Sequence, residues 1–63
     1  MEDKTKFALI SYAVGTEVEA VNMYSYLIKT LGPECRKVLE HIRDEEKEHA
    51  KELIGLLKGK YET

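Results

Sequence analysis

The sequence predicts an all-α fold, an antiparallel helical hairpin that dimerises into a four-helix bundle. Apolar residues recur with helical spacing on both sides of one strong break, Gly32-Pro33. Hydrophobic residues make up 43% of the chain and charged residues 35%, a balance typical of water-soluble amphipathic helices. A hairpin of 63 residues buries too little apolar surface to be comfortably stable by itself, which predicts a partner copy.

The two helices are predicted from their end signals. A single domain, residues 1-63, contains a helix over about residues 4-31, a turn at 32-33 and a helix over about residues 34-58. Glycine can end one helix and proline fits the first turn of the next, so Gly32 and Pro33 mark the turn. We expect Asp3 or Thr5 to cap the first helix and Gly59 to end the second.

Composition excludes several classes of function. The formal net charge is -2 and no basic block occurs, so nucleic acid is not an expected partner. The opening stretch MEDKTK is polar, and no apolar run approaches the roughly 20 residues that span a bilayer. We therefore expect a soluble, cytoplasmic protein with no membrane partner. The single cysteine, Cys35, forms no internal disulfide and is interpreted as a small core residue.

Ionisable residues interrupt the apolar stripe of each predicted helix. At about 100° per residue, Glu17 falls in the first stripe, whereas Glu46 and His49 fall in the second. The first stripe consists of Leu9, Ile10, Ala13, Val14, Ala20, Val21, Tyr24, Leu27, Ile28 and Leu31. The second consists of Val38, Leu39, Ile42, Ala50, Leu53, Leu56 and Leu57. The remaining charges of the second helix, with His41, map to the outer face and are interpreted as solvated.

The three inward-facing polar residues are expected at one level of the hairpin. Glu17 lies 15 residues before Gly32, and the midpoint of Glu46 and His49 lies 14.5 residues after Pro33. Burying an unpaired carboxylate costs several kcal/mol, and neither stripe supplies a Lys or Arg at this level. A twofold dimer would collect four glutamates and two histidines in one core. Four carboxylates neutralise two divalent cations, and this oxygen-rich set suits iron or manganese better than zinc.

Two stretches carry a family resemblance. "GTEVEAVNMYSY" and "EEKEHAKEL" resemble the two helices of the rubrerythrin-like branch of the ferritin-like superfamily. The first contains a Glu followed by Ala and Tyr at the family's spacing, here Glu17, Ala20 and Tyr24. The second contains Glu-Lys-Glu-His-Ala, which begins at Glu46 and includes His49. The resemblance implies Glu17, Glu46 and His49 as iron ligands, with Glu46 bridging two ions.

The resemblance covers only half of the usual four-helix domain. Rubrerythrins add a second helical pair and usually a Cys-rich iron site, and this sequence contains neither. Encapsulated ferritins are closer in architecture because their short hairpins build a di-iron site across a subunit interface. Their shell-targeting tail is not evident in the closing "GKYET".

The implied function is that of a di-iron oxidoreductase, a ferroxidase or a peroxidase-like enzyme. A homodimer or higher homo-oligomer would hold two irons per dimer, with manganese as an alternative, and use O2 or peroxide together with an external electron donor. Tyr24 either hydrogen-bonds a ligand carboxylate or packs in the core, and Glu45 is a reserve ligand at the stripe edge. Two non-catalytic alternatives stay open. One is a hydrogen-bonded network that fixes helix register, and the other is a scaffold holding zinc or manganese.

Overall fold

The protein is a hairpin of two long antiparallel helices. The structure, a computed structural model, describes residues 2–60, with side chains as far as residue 59. Helix α1 covers Asp3–Thr30 and helix α2 covers Pro33–Lys60, each with 28 residues. Each helix is about 42 Å long at a rise of about 1.5 Å per residue. The molecule measures 46 × 16 × 15 Å, so the helices lie side by side along their length.

The predicted hairpin is confirmed, with no strand among the described residues. Each observed helix end lies within two residues of its predicted position. Within residues 2–60, no helix is long and apolar enough to cross a bilayer. Dimerisation into a four-helix bundle stays a prediction.

The turn is built differently from the glycine stop that the sequence suggests. Helix α1 ends at Thr30, and Leu31 is already extended, with φ -85° and ψ 161°. The Leu31 N–H donates to the Leu27 carbonyl at 2.8 Å. Gly32 has no positive φ, and its carbonyl accepts the Cys35 N–H at 3.1 Å, so it begins α2 rather than ending α1 by a left-handed conformation.

The predicted caps are wrong at both outer ends. Glu2 precedes α1 without a side-chain capping bond, and its carbonyl accepts the Lys6 N–H at 3.0 Å. Asp3 is instead the first helical residue, where a carboxylate interacts favourably with the helix dipole. Helix α2 continues through Gly59 to Lys60, since a glycine stops a helix only where the following chain turns away.

One hairpin covers only a narrow strip of each helix. Ala50, 8% exposed, is the one buried residue of the described chain. The large apolar side chains that stay exposed are Phe7, Leu9, Tyr12, Val18, Met23, Tyr26, Leu31, Val38, Ile54 and Leu56. Leu9, Leu31, Val38 and Leu56 belong to the predicted core stripes, and their burial is not achieved because a single neighbouring helix cannot reach the stripe edges. Cys35 is half-buried.

Candidate metal centre

The candidate metal centre lies midway along the hairpin, where the two helices approach through small side chains. Glu17 of α1 is in the middle of the face that packs on α2, with half-buried Ala13 and Ala20 one turn to either side. On α2, the buried Ala50 follows His49 directly and lies one turn after Glu46. Alanine side chains let the helices pack closely, so the longer glutamate and histidine side chains converge beside them.

Glu17, Glu46 and His49 form one cluster, which we call the acid–imidazole triad. One potential ligand atom from each residue lies within 4.8 Å of those of the other two. His49 Nδ1 is 3.8 Å from Glu17 Oε2 and 4.0 Å from Glu46 Oε1. These distances are too long for hydrogen bonds. Two ligands of one ion with bonds of about 2.1 Å lie at most about 4.2 Å apart, so both separations are compatible with a shared cation.

Glu17 presents a polar atom that the hairpin leaves unsatisfied. Its Oε2 is buried and has no hydrogen-bond partner among the described residues. No lysine or arginine of residues 2–59 forms an ion pair with Glu17 or Glu46. A buried carboxylate oxygen without a donor or cation is unfavourable. The donor set therefore fits a metal ion, with two carboxylate groups and one imidazole directed at the same point.

The electrostatics of the triad disfavour charge on Glu46. The pKa of Glu46 is raised above its ordinary value of 4.5, chiefly because a hydrogen bond with Glu17 stabilises the protonated form. Partial removal from water and the like charge of Glu17 act in the same direction, and His49 opposes them. A negative charge on Glu46 is thus unfavourable beside Glu17. A divalent cation would offset it.

The triad is shielded on one side and open on the other. The side chains of Glu17 and Glu46 are 23% and 24% exposed, whereas that of His49 is 52% exposed. The imidazole therefore lies at the edge of the hairpin, on the same side as Leu9, Val38 and Leu56 by helical angle. The triad is placed on a surface that a further molecule can cover.

The other candidate residues are not joined to the triad. Tyr24 is half-buried two turns from Glu17, and no hydrogen bond connects it to the triad within the described chain. Its role as an orienting group stays a prediction. Glu45, the reserve ligand, pairs at 3.2 Å with the Nε2 atom of His41 on the outer face. His41 is 76% exposed, which agrees with its assignment as a solvated residue.

An acidic groove beside the triad has no counterpart among the sequence-predicted site residues. His49 forms one wall of this open groove, which is also lined by His41, Asp44, Glu45, Glu48 and Glu52. Helical angles alone place these residues on one flank of the second helix. Because the outer face as a whole carries both signs of charge, the sequence pattern predicts a solvated surface and does not predict this acidic flank.

An antiparallel hairpin with two inward carboxylates and an imidazole at one level is half of a ferritin-like bundle. The sequence family described as EncFtn-like matches residues 2–63. The chain belongs to this family and is an encapsulated-ferritin-like half-domain of the ferritin-like superfamily. No curated protein sequence and no solved structure matches it. The resemblance to the ferritin-like superfamily is thereby confirmed, and the family is an iron-related one.

Proposed function

We propose that two copies of the hairpin pair through the face that carries His49 and oxidise ferrous iron between them, using O2 or peroxide as the electron acceptor. The observation that carries this proposal is the buried Oε2 of Glu17, beside Glu46 and His49, which has no hydrogen-bond partner among the described residues. Membership of the EncFtn-like family supports iron as the metal.

A cation explains the triad better than an internal polar network. A network that fixes register would satisfy its buried atoms by hydrogen bonds. Here the imidazole of His49, 3.8 Å from Glu17 and 4.0 Å from Glu46, is too far away to join the hydrogen bond between Glu46 and Glu17, and Glu17 Oε2 has no partner in the described chain. A divalent ion between the three side chains would compensate both carboxylates at once.

The triad of one hairpin is an incomplete site. Iron usually takes more ligands than one carboxylate pair and one imidazole supply, and the imidazole is half exposed. Exposed apolar residues flank it on the same side of the hairpin. Leu9 and Leu56 lie toward the open end, and Met23 and Val38 lie toward the turn, with exposures from 43% to 63%. Pairing two such faces buries these side chains and brings two triads together.

The paired triads would form a charge-balanced set. Four carboxylates offset the charge of two divalent ions, and two neutral imidazoles complete the donors. By family resemblance, we assign Glu46 as the bridging ligand, Glu17 as a terminal or bridging ligand and His49 as the nitrogen ligand. Manganese is compatible with the same oxygen-rich set.

Ferrous iron is the substrate of the proposed ferroxidase reaction. Two ferrous ions release two electrons, which with two protons reduce one O2 to hydrogen peroxide. With peroxide as the acceptor, the same two electrons and two protons yield two waters, and an external donor must restore ferrous iron for further turnover. The protein's share is to hold both ions at a fixed distance, with carboxylates that stabilise the higher charge of ferric iron.

The test is the oxidation of ferrous iron in air, and its rate is measured from the absorbance of ferric iron and from oxygen consumption. We expect oxidation faster than in protein-free buffer, with two irons per dimer, and loss of both properties in Glu46→Ala. Glu48→Ala, which removes an exposed carboxylate of the same helix, is the matched control. Bound iron with oxidation at the background rate would instead establish a non-catalytic metal scaffold.

A further inference from the structure

The outer face of α2 separates its charges into two lengthwise strips. At about 100° per residue, acidic side chains occupy the flank nearer His49 and basic side chains the opposite flank. The acidic strip consists of Glu34, Asp44, Glu45, Glu48 and Glu52. The basic strip consists of Arg36, Arg43, Lys47, Lys51 and Lys58. Lys37 and Glu40 are the exceptions, and all members except the half-buried Arg43 are exposed.

Pairing within the helix does not account for this separation. Ion pairs connect the two strips only at their border, Glu48 with Lys51 at 3.3 Å and Asp44 with Arg43 at 3.1 Å, as far as residues 2–59 show. Glu48 and Lys51 remain 65% and 77% exposed. A solvated helix gains more from acids and bases alternating at a spacing of four residues. The separation therefore favours recognition of another surface.

We propose that the outer face of α2 binds the same face of a second copy of the chain, with the acidic strip of each copy against the basic strip of the other. Symmetry selects one arrangement. A twofold axis perpendicular to the helices makes them antiparallel and places acid against acid. A twofold axis parallel to α2 makes the helices parallel and places acid against base on both sides of the seam.

The positions of the charges along the helix fit the parallel arrangement. In it, residues of equal number lie at equal height. Glu48 is then one residue from Lys47 of the second copy, and Glu52 is one residue from its Lys51, a difference of about 1.5 Å in height. Near the turn, Glu34 and Arg36 differ by two residues, or about 3 Å. Acid and base are therefore matched near the turn and in the middle of the helix.

The acidic strip contains one position without a side chain. Gly55 lies between Asp44 and Glu48 by helical angle, and a Cβ atom built on it meets nothing within 4 Å among the described residues. The centre of this contact lies on the outer face, away from the side that carries His49, and its acidic strip adjoins the groove beside His49. The contact would therefore link metal-binding dimers into larger assemblies. Because its residues are charged and exposed, the contact should be weak and sensitive to salt.

Sedimentation of the intact, iron-loaded protein tests the proposal. We expect assemblies larger than the dimer at about 20 mM NaCl that dissociate at about 500 mM NaCl, where charges are screened. Two variants reverse one strip each, Glu48→Lys with Glu52→Lys, and Lys47→Glu with Lys51→Glu. Each variant alone should lose the larger assemblies, with a dissociation constant raised about tenfold or more.

Mixing the two variants gives the decisive result. Over residues 47–52, one variant presents basic side chains on both strips and the other presents acidic side chains on both, so an equimolar mixture should recover the larger assemblies. Glu19→Lys and Lys29→Glu, exposed reversals on α1, are the controls and should assemble like the unmodified protein. Failure of the mixture to recover, unaltered assembly of either variant, or absence of any species larger than the dimer would overturn the proposal.

The outcome is separable from that of the metal proposal. None of the reversed residues belongs to the triad, so iron content per chain should be the same in every variant. Failure of the unmodified protein to bind iron would refute the di-iron site. The salt and mixing results would still decide whether the charged strips of two copies bind each other.

Discussion

Glu17 on α1 and His49 on α2 meet across the hairpin with 3.8 Å between Oε2 and Nδ1. This separation is too long for a hydrogen bond, yet Oε2 of Glu17 is buried and has no other partner in the described chain. The gap between these two atoms, which belong to different helices, has the size that one metal ion would fill.

Replacing Glu17 by Gln should separate metal binding from folding. The amide keeps the shape but lacks the negative charge, so we expect iron affinity to fall about 100-fold or more. The metal-free hairpin should gain about 1 kcal/mol in the free energy of unfolding, because an unsatisfied buried carboxylate is removed. Titration with ferrous iron under nitrogen and chemical denaturation measure the two effects. Glu19→Gln, which changes an exposed carboxylate on the same helix, should alter neither.

Replacing His49 by Leu should abolish the stabilisation that iron gives to the dimer. Removing one ligand per metal weakens the site, and ligand binding stabilises the native state in proportion to its affinity. The thermal midpoint with iron should therefore approach that without iron. His41→Leu is the control, because the side chain of His41 is 76% exposed and pairs with Glu45 on the outer face, away from the triad. A variant at His49 that keeps the iron-dependent shift would exclude the imidazole as a ligand.

Lowering the pH should increase the contribution of Glu46 to the stability of the metal-free hairpin. Because the folded-state pKa of Glu46 is raised above 4.5, chiefly by a hydrogen bond with Glu17, the folded state binds more protons than the unfolded state in this range. The contribution of Glu46 is therefore present below pH 4.5 and is lost as the pH rises through the folded-state pKa. Other carboxylates titrate in the same range, so the measurement is the difference in unfolding free energy between the unmodified protein and Glu46→Gln. A difference independent of pH would contradict the shift.

The sequence predicts which way each side chain points better than how far it is buried. Helical periodicity places Glu17, Glu46 and His49 on facing stripes, and the short turn makes them level, so their proximity follows from elementary geometry. Their role as ligands stays a prediction. The same periodicity puts Leu9 and Val38 in the core, but they are 54% and 63% exposed, because periodicity does not say how many helices surround the stripe.

The ends and the outer surface depend on information that periodicity lacks. The glycine at position 59 predicts the end of the second helix, yet α2 continues past it, since backbone hydrogen bonding decides where a helix ends. Charge counted over the whole outer face looks balanced, and only the flank assignment of Glu48 and Lys47 shows that acids and bases are separated. The proposed partner copy, which would complete the metal site, is inferred from exposed side chains rather than from a motif.

Replacing Val38 by Asn tests the face proposed for pairing. Val38 is 63% exposed in the single hairpin, so the change should alter the stability of an isolated chain by less than about 0.5 kcal/mol. In the proposed dimer Val38 lies in the interface formed by the two His49 faces, where burying an unpaired amide costs about 1–3 kcal/mol for each copy. We expect the iron-loaded dimer to dissociate at protein concentrations at which the unmodified dimer persists, with a parallel loss of bound iron. Val18→Asn is the matched control, because Val18 is also a valine, is 46% exposed and lies on the other side of the hairpin by helical angle. Equal effects of the two substitutions would show that pairing does not use the His49 face. Loss at Val38 alone would tie dimerisation and metal binding to one surface.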